Sequence, residues 1–121
     1  LQYGNSPAEY PRNFIEGKTL VLTTTNGTKL LHMALQAGAD DVITGSFPNL
    51  SAVANYLIEQ KKPVFLGCSA WKDRFNLEDT LFAGAVIHAV KSHFTIHCDS
   101  SLMAEQMYLQ HKDDMHGFAR L

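Results

Sequence analysis

Three short apolar runs at even spacing constrain this chain more than any other feature. They are Thr19-Leu-Val-Leu-Thr23, Asp41-Val-Ile-Thr44 and Pro63-Val-Phe-Leu-Gly67. None alternates apolar with polar, and continuous Val/Ile/Leu runs read as strands buried on both faces. Leu20, Val42 and Val64 are 22 residues apart each time. That interval holds one strand, one helix and two short loops, a βα rhythm rather than a repeat array. Each run is followed by a helical pattern. The spacing predicts helices over 28–37, with Gly38 as the stop, and over 50–59, where Leu50, Val53, Ala54, Leu57 and Ile58 form one stripe. A third, over 77–91, is apolar nearly all round, with a small Ala83-Gly84-Ala85 centre. A fourth, over 101–112, follows the capping cluster Asp99-Ser100-Ser101. Gly4, Pro7, Pro11 and Gly17 predict an irregular entry segment. The expected fold class is α/β, three-layer α/β/α with a mostly parallel sheet. Three strands are few for such a sheet, so residues 1–121 are expected to be a single partial domain of a larger unit.

Composition narrows the function classes. Ten Lys and Arg against twelve Asp and Glu leave a formal charge of −2, without the basic excess of a nucleic-acid binder. No apolar run approaches the ~18 residues of a membrane span, and no leader-like segment opens the chain. The charged fraction of 18% is low, as expected where more protein covers part of the surface. Cys68 and Cys98 match neither a disulfide framework nor a zinc pattern, and two reduced thiols fit a cytoplasmic protein. The six histidines include no H-E-x-x-H pattern.

In open α/β sheets, ligands bind beyond the carboxyl ends of the strands, where helix N-termini point. The polar residues of this chain cluster there. Thr23-Thr-Thr-Asn-Gly-Thr28 carries four hydroxyls, an amide and a glycine. That is more than one cap needs and suits phosphate or sulfonate oxygens. Ser46 and Asn49 occupy the second loop. The third, 68–79, holds Cys68, Lys72, Arg74, Glu78 and Asp79. Glu78 and Asp79 are hard oxygen donors suited to Mg²⁺, which takes one or two carboxylates and completes its shell with water and phosphate. Lys72 and Arg74 can balance an anionic substrate. A structural account stands beside each of these readings, because Ser, Thr and Asn are the favoured N-caps and acids favour a first helical turn.

Several of these residues, in order, resemble the 2-phosphosulfolactate phosphatase family. They are Gly4-Asn-Ser-Pro7 with Glu9, Gly17-Lys18 and the Thr23–Thr28 string. Gly45-Ser-Phe47 with Asn49, Cys68, Phe75-Asn-Leu-Glu-Asp79, Ala83-Gly84, His116-Gly117 and Leu121 continue the match. The resemblance implies a Mg²⁺-dependent phosphatase that hydrolyses 2-phosphosulfolactate to sulfolactate and phosphate in coenzyme M biosynthesis. It also implies a chain about twice this length. The expected site has Thr24, Thr25, Asn26, Gly27, Thr28, Ser46, Asn49, Lys72 and Arg74 on the substrate and Glu78 and Asp79 on Mg²⁺. Asp79 and Cys68 are the candidates for a catalytic role. Ser69-Ala70-Trp71 departs from the small residues that usually follow the cysteine, and a phosphocysteine mechanism wants an Arg there. The expected partner is a small anionic phosphorylated substrate, without nucleic acid or membrane, and a homo-oligomer stays open. The alternatives are a non-catalytic binding domain and a phosphatase for another small acidic phosphoester.

Overall fold

The computed structural model describes residues 3–119; Leu121, which helps carry the family resemblance, lies outside them. The longest helix is also the most apolar. α4 (Leu77–Val90) begins where the Asn76 side chain accepts the Asp79 N–H at 3.0 Å. Glu78 and Asp79 in its first turn favour the helix dipole. An all-round apolar helix must be covered on several sides, and this one is. α3 (Leu50–Gln60) packs on one side and α5 (Asp99–His111) on another. Leu81, Ala85 and Val86 are each 1% exposed. Val53 and Leu57 of α3 join Val86 in a core cluster, with Leu50, Tyr56, Leu66, Phe82 and Phe94 around it. The predicted stripe on α3 is therefore the face that is buried.

The α4–α5 seam depends on Gly84. A Cβ there would meet the backbone carbonyl of Ala104 and the Tyr108 side chain, so only glycine allows this approach. Beside it Glu105 is buried, and its Oε1 accepts from Lys91 Nζ at 2.6 Å and pairs with His88 Nδ1 at 3.1 Å. Hydrogen bonds from Lys91 and then His88 hold the Glu105 carboxyl below its ordinary value. Two short helices, α1 (Arg12–Ile15) and α6 (Met115–Ala119), complete the described elements with α2 (Thr25–Gln36) and the 3-10 turns Pro7–Glu9 and Phe47–Asn49. The entry segment is thus less irregular than its Pro and Gly content predicts, and α6 has no counterpart in the sequence reading. α2 begins three residues earlier than its apolar stripe suggests, because Thr24 caps it.

The α/β expectation is overturned. Among the described residues there is no sheet, and strand-type pairing is limited to an isolated antiparallel bridge between Trp71 and Arg74. The three-layer arrangement with a mostly parallel sheet is therefore absent. The three apolar runs carry no regular structure, and their side chains are largely open: Val21 is 89% and Phe65 91% exposed. An apolar run establishes that a segment gains by burial. A ladder also needs another strand within about 4.8 Å in register, and composition cannot supply that. Burial in the described residues comes from helix on helix instead. No helix among them is long and apolar enough to cross a membrane.

Two outcomes follow for stability. Gly84→Ala should lower it by roughly 2 kcal/mol, as overpacking does, read as a lower urea midpoint at unchanged slope. Glu105 contributes fully above its ordinary value of 4.5, and its contribution is lost as pH falls through the lower folded value. Glu105→Gln should therefore flatten the acid limb of stability against pH. Because both cations are half-exposed, it should cost only about 1 kcal/mol at pH 7, measured by urea unfolding at stepped pH.

Candidate functional site

The three polar loops are each tied to a neighbouring helix. Loop 23–28 caps α2. Thr24 Oγ1 accepts the Thr28 N–H at 3.3 Å, while the Thr24 N–H donates to Thr28 Oγ1 at 3.1 Å. Thr23 Oγ1 lies 3.4 Å from Thr28 Oγ1. This reciprocal cap occupies the hydroxyls of Thr24 and Thr28. The N–H groups of Thr25, Asn26 and Gly27, in the first turn of α2, have no carbonyl four residues back inside the helix, which leaves donors at its N-terminus.

Loop 45–49 closes on itself in the same way. The Ser46 N–H donates to Asn49 Oδ1 at 2.7 Å, and Asn49 N–H returns to the Ser46 carbonyl at 3.0 Å. Phe47 then meets Phe82 of α4 edge-on at 5.4 Å. The Phe82 ring also covers Gly45, where a Cβ would collide with it. Among the described residues no hydrogen bond joins Ser46 or Asn49 to loop 23–28.

Loop 68–76 is the junction. Ser69 donates both its N–H, at 2.8 Å, and its hydroxyl, at 3.0 Å, to Oδ2 of Asp79. Trp71 and Arg74 exchange two backbone bonds of 3.0 Å, which closes a tight turn over Lys72 and Asp73. Both central residues are left-handed, with φ of 52° and 57°, as in a two-residue hairpin turn normally built from Asn and Gly. Ala70 is left-handed too, at 63°. Each such residue costs on the order of 1–3 kcal/mol and persists where its surroundings over-determine it. At the tip, Lys29 of α2 pairs with Asp73 at 3.2 Å, and Lys72 lies over the Trp71 ring at 4.4 Å. Leu30 packs against Gly67. The third loop thus bridges the N-terminal ends of α2 and α4.

Of the predicted residues, Lys72, Arg74 and Asp79 share one linked segment with Cys68. Thr24–Thr28 adjoins it through Lys29, and Ser46 with Asn49 reaches it only through α4. Sequence reasoning missed Ser69 and Lys29. Lys29 was signalled by its place directly after the hydroxyl string; nothing local marked Ser69, whose partner lies ten residues away. Two surface cavities of about 460 and 480 Å³ lie elsewhere, against Met103, Met107 and Phe118 and against Ile58, Lys61 and Phe94.

The two thiols differ. Partial burial, and then the charge of Asp79, push the Cys68 thiol up from its ordinary value. The Thr80 side chain pulls the other way, more weakly, and its hydroxyl also donates to the Asn76 carbonyl at 2.8 Å. Cys68 is therefore held as a thiol, a poor nucleophile at neutral pH. Cys98 caps α5, where hydrogen bonds from Ser100 and Ser101 pull its thiol down. Iodoacetamide at pH 7.5 should modify Cys98 well before Cys68, read by peptide mass spectrometry, and Asp79→Asn should speed the reaction of Cys68.

For a metal, no group of three or more His, Cys, Asp or Glu side chains is assembled among the described residues. A hydrated Mg²⁺ asks for less, one or two carboxylates. Glu78 is exposed, and Oδ1 of Asp79 accepts no hydrogen bond among the described residues. These oxygens fit a hydrated ion and do not form a cage.

Comparison with known proteins decides the family. The sequence model of 2-phosphosulpholactate phosphatase matches residues 1–120. The chain belongs to the 2-phosphosulfolactate phosphatase family. A probable 2-phosphosulfolactate phosphatase of Thermotoga petrophila is 48% identical over 88 residues, covering 73% of this chain and 37% of the relative. That of Clostridium novyi is 31% identical over 119 residues, 98% of this chain and 49% of the relative. That of Synechocystis is 36% identical over 118 residues, 93% and 47% respectively. The chain spans about half the length, or less, of these curated relatives. No solved structure matches it.

Proposed function

We propose that this chain is part of a Mg²⁺-dependent phosphatase that hydrolyses 2-phosphosulfolactate to sulfolactate and phosphate in coenzyme M biosynthesis. The observation that carries the proposal is the family match over residues 1–120. The chemistry of the loops supports it. The first-turn amides of Thr25, Asn26 and Gly27 suit phosphate or sulfonate oxygens, as helix N-termini do. Lys72 and Arg74 balance the charge of the substrate, a small phosphorylated anion. Glu78 and Oδ1 of Asp79 would hold Mg²⁺. When bound, the ion supplies charge stabilisation to the phosphoryl oxygens and acidity to a bound water. Cys68, held as a thiol, is a poor candidate for the nucleophile at neutral pH. The two cysteines, free of disulfides, suit a reducing cytoplasm.

Phosphate release from 2-phosphosulfolactate, with Mg²⁺ and with EDTA, tests the proposal on this chain and on a version extended to the relatives' length. Turnover should need Mg²⁺. Lys72→Ala and Arg74→Ala should each raise KM about tenfold with kcat little changed, the pattern of lost uniform binding. Folded proteins of both lengths with no turnover would sink the named reaction in favour of another small acidic phosphoester or a binding module.

A further inference from the structure

We propose that Ser69 is the positioning residue for Asp79, and that this contact joins the first turn of α4 and the cationic tip Trp71–Arg74 into one unit. The inference rests on the phosphatase reading for what the unit does, while the contact itself is independent of it.

Ser69 directs both of its donors to the same oxygen, Oδ2 of Asp79, in a part-buried setting. Two bonds from one residue fix the plane of the carboxylate as well as its position. Oδ1, which accepts no hydrogen bond among the described residues, is the oxygen left over. The Asp79 backbone is pinned separately by the Asn76 cap, so the side-chain direction is what Ser69 decides. Ser69 is also the root of the strained tip. Ala70, Lys72 and Asp73 are all left-handed, and Asp73, in the centre of the turn, pairs with Lys29 of α2. A strained tip rooted at Ser69 carries Lys72 and Arg74 on the same short segment as the residue that holds Asp79. Of the two Ser69 donors, the N–H is kept by every substitution except proline. The hydroxyl is the part that the residue type supplies.

The test compares the wild-type chain with Ser69→Ala, Ser69→Thr, Asp79→Asn and the Ser69→Ala/Asp79→Asn double variant. Trp71 is the only tryptophan, so its emission reports on the tip alone. Ser69→Ala and Asp79→Asn should each red-shift it and increase its quenching by acrylamide. The double variant should do no more than either single change, and Ser69→Thr should match wild type. In the phosphate-release assay Ser69→Ala should lower kcat about tenfold at little-changed KM, the scale of a hydrogen bond to a charged group, and Ser69→Thr should restore it. Folded Ser69→Ala with wild-type emission, or effects that add independently, would overturn the contact. A shifted Trp71 with unchanged kcat would overturn the positioning role. Absence of turnover in the folded wild-type protein extended to the relatives' length would defeat the phosphatase reading instead, and the Trp71 comparison would still decide the role of Ser69.

Discussion

The close approach of α4 to α5 at Gly84 is the constraint on which the other contacts depend. With the Ala104 carbonyl against that glycine, the two helices are near enough for Glu105 to be buried between them and to bond both Lys91 and His88. The opposite side of α4 then receives Val53 and Leu57 of α3. Its N-terminal half extends beyond the seam and carries Phe82 toward loop 45–49 and Asp79 toward loop 68–76. One buried helix thereby supports two of the three polar loops, and the third is linked through Lys29 and Leu30 of α2. Packing in the core and geometry at the loops are the two ends of the same element.

Within the loops, some polar side chains are used on their own helix and others are not. The hydroxyls of Thr24 and Thr28 satisfy one another's backbone, and Ser46 and Asn49 do the same. This is ordinary capping, in which short polar side chains replace missing helical partners. The remaining donors are backbone amides at the start of α2 and the cations Lys29, Lys72 and Arg74. Of these, Lys29 pairs with the Asp73 carboxylate.

What was legible in the sequence was local. The period of Leu50, Val53, Ala54 and Leu57 identified the buried face of α3, and the apolar circumference of α4 marked it as the covered helix. Asn76 as the cap of α4, and the order of motifs that resembles the phosphatase family, were equally readable, because caps and amphipathic faces are written within one or two turns of chain. The sheet was not. Leu20–Leu22, Val42–Ile43 and Val64–Leu66 have strand-like composition, but pairing requires a partner brought into register by the rest of the fold, and none is in place among the described residues. The contacts that make the candidate site were equally invisible. Ser69 with Asp79 and Lys29 with Asp73 join residues ten and 44 positions apart. The left-handed turn at Lys72 and Asp73 uses residue types that do not announce it. The sequence by itself determined the four longer helices, the Asn76 cap of α4, the small residue at the seam and the family. Tertiary structure decided the absence of a ladder, the helix-on-helix core and the clamp on Asp79, because each of these depends on distances between segments rather than on the identity of neighbours along the chain.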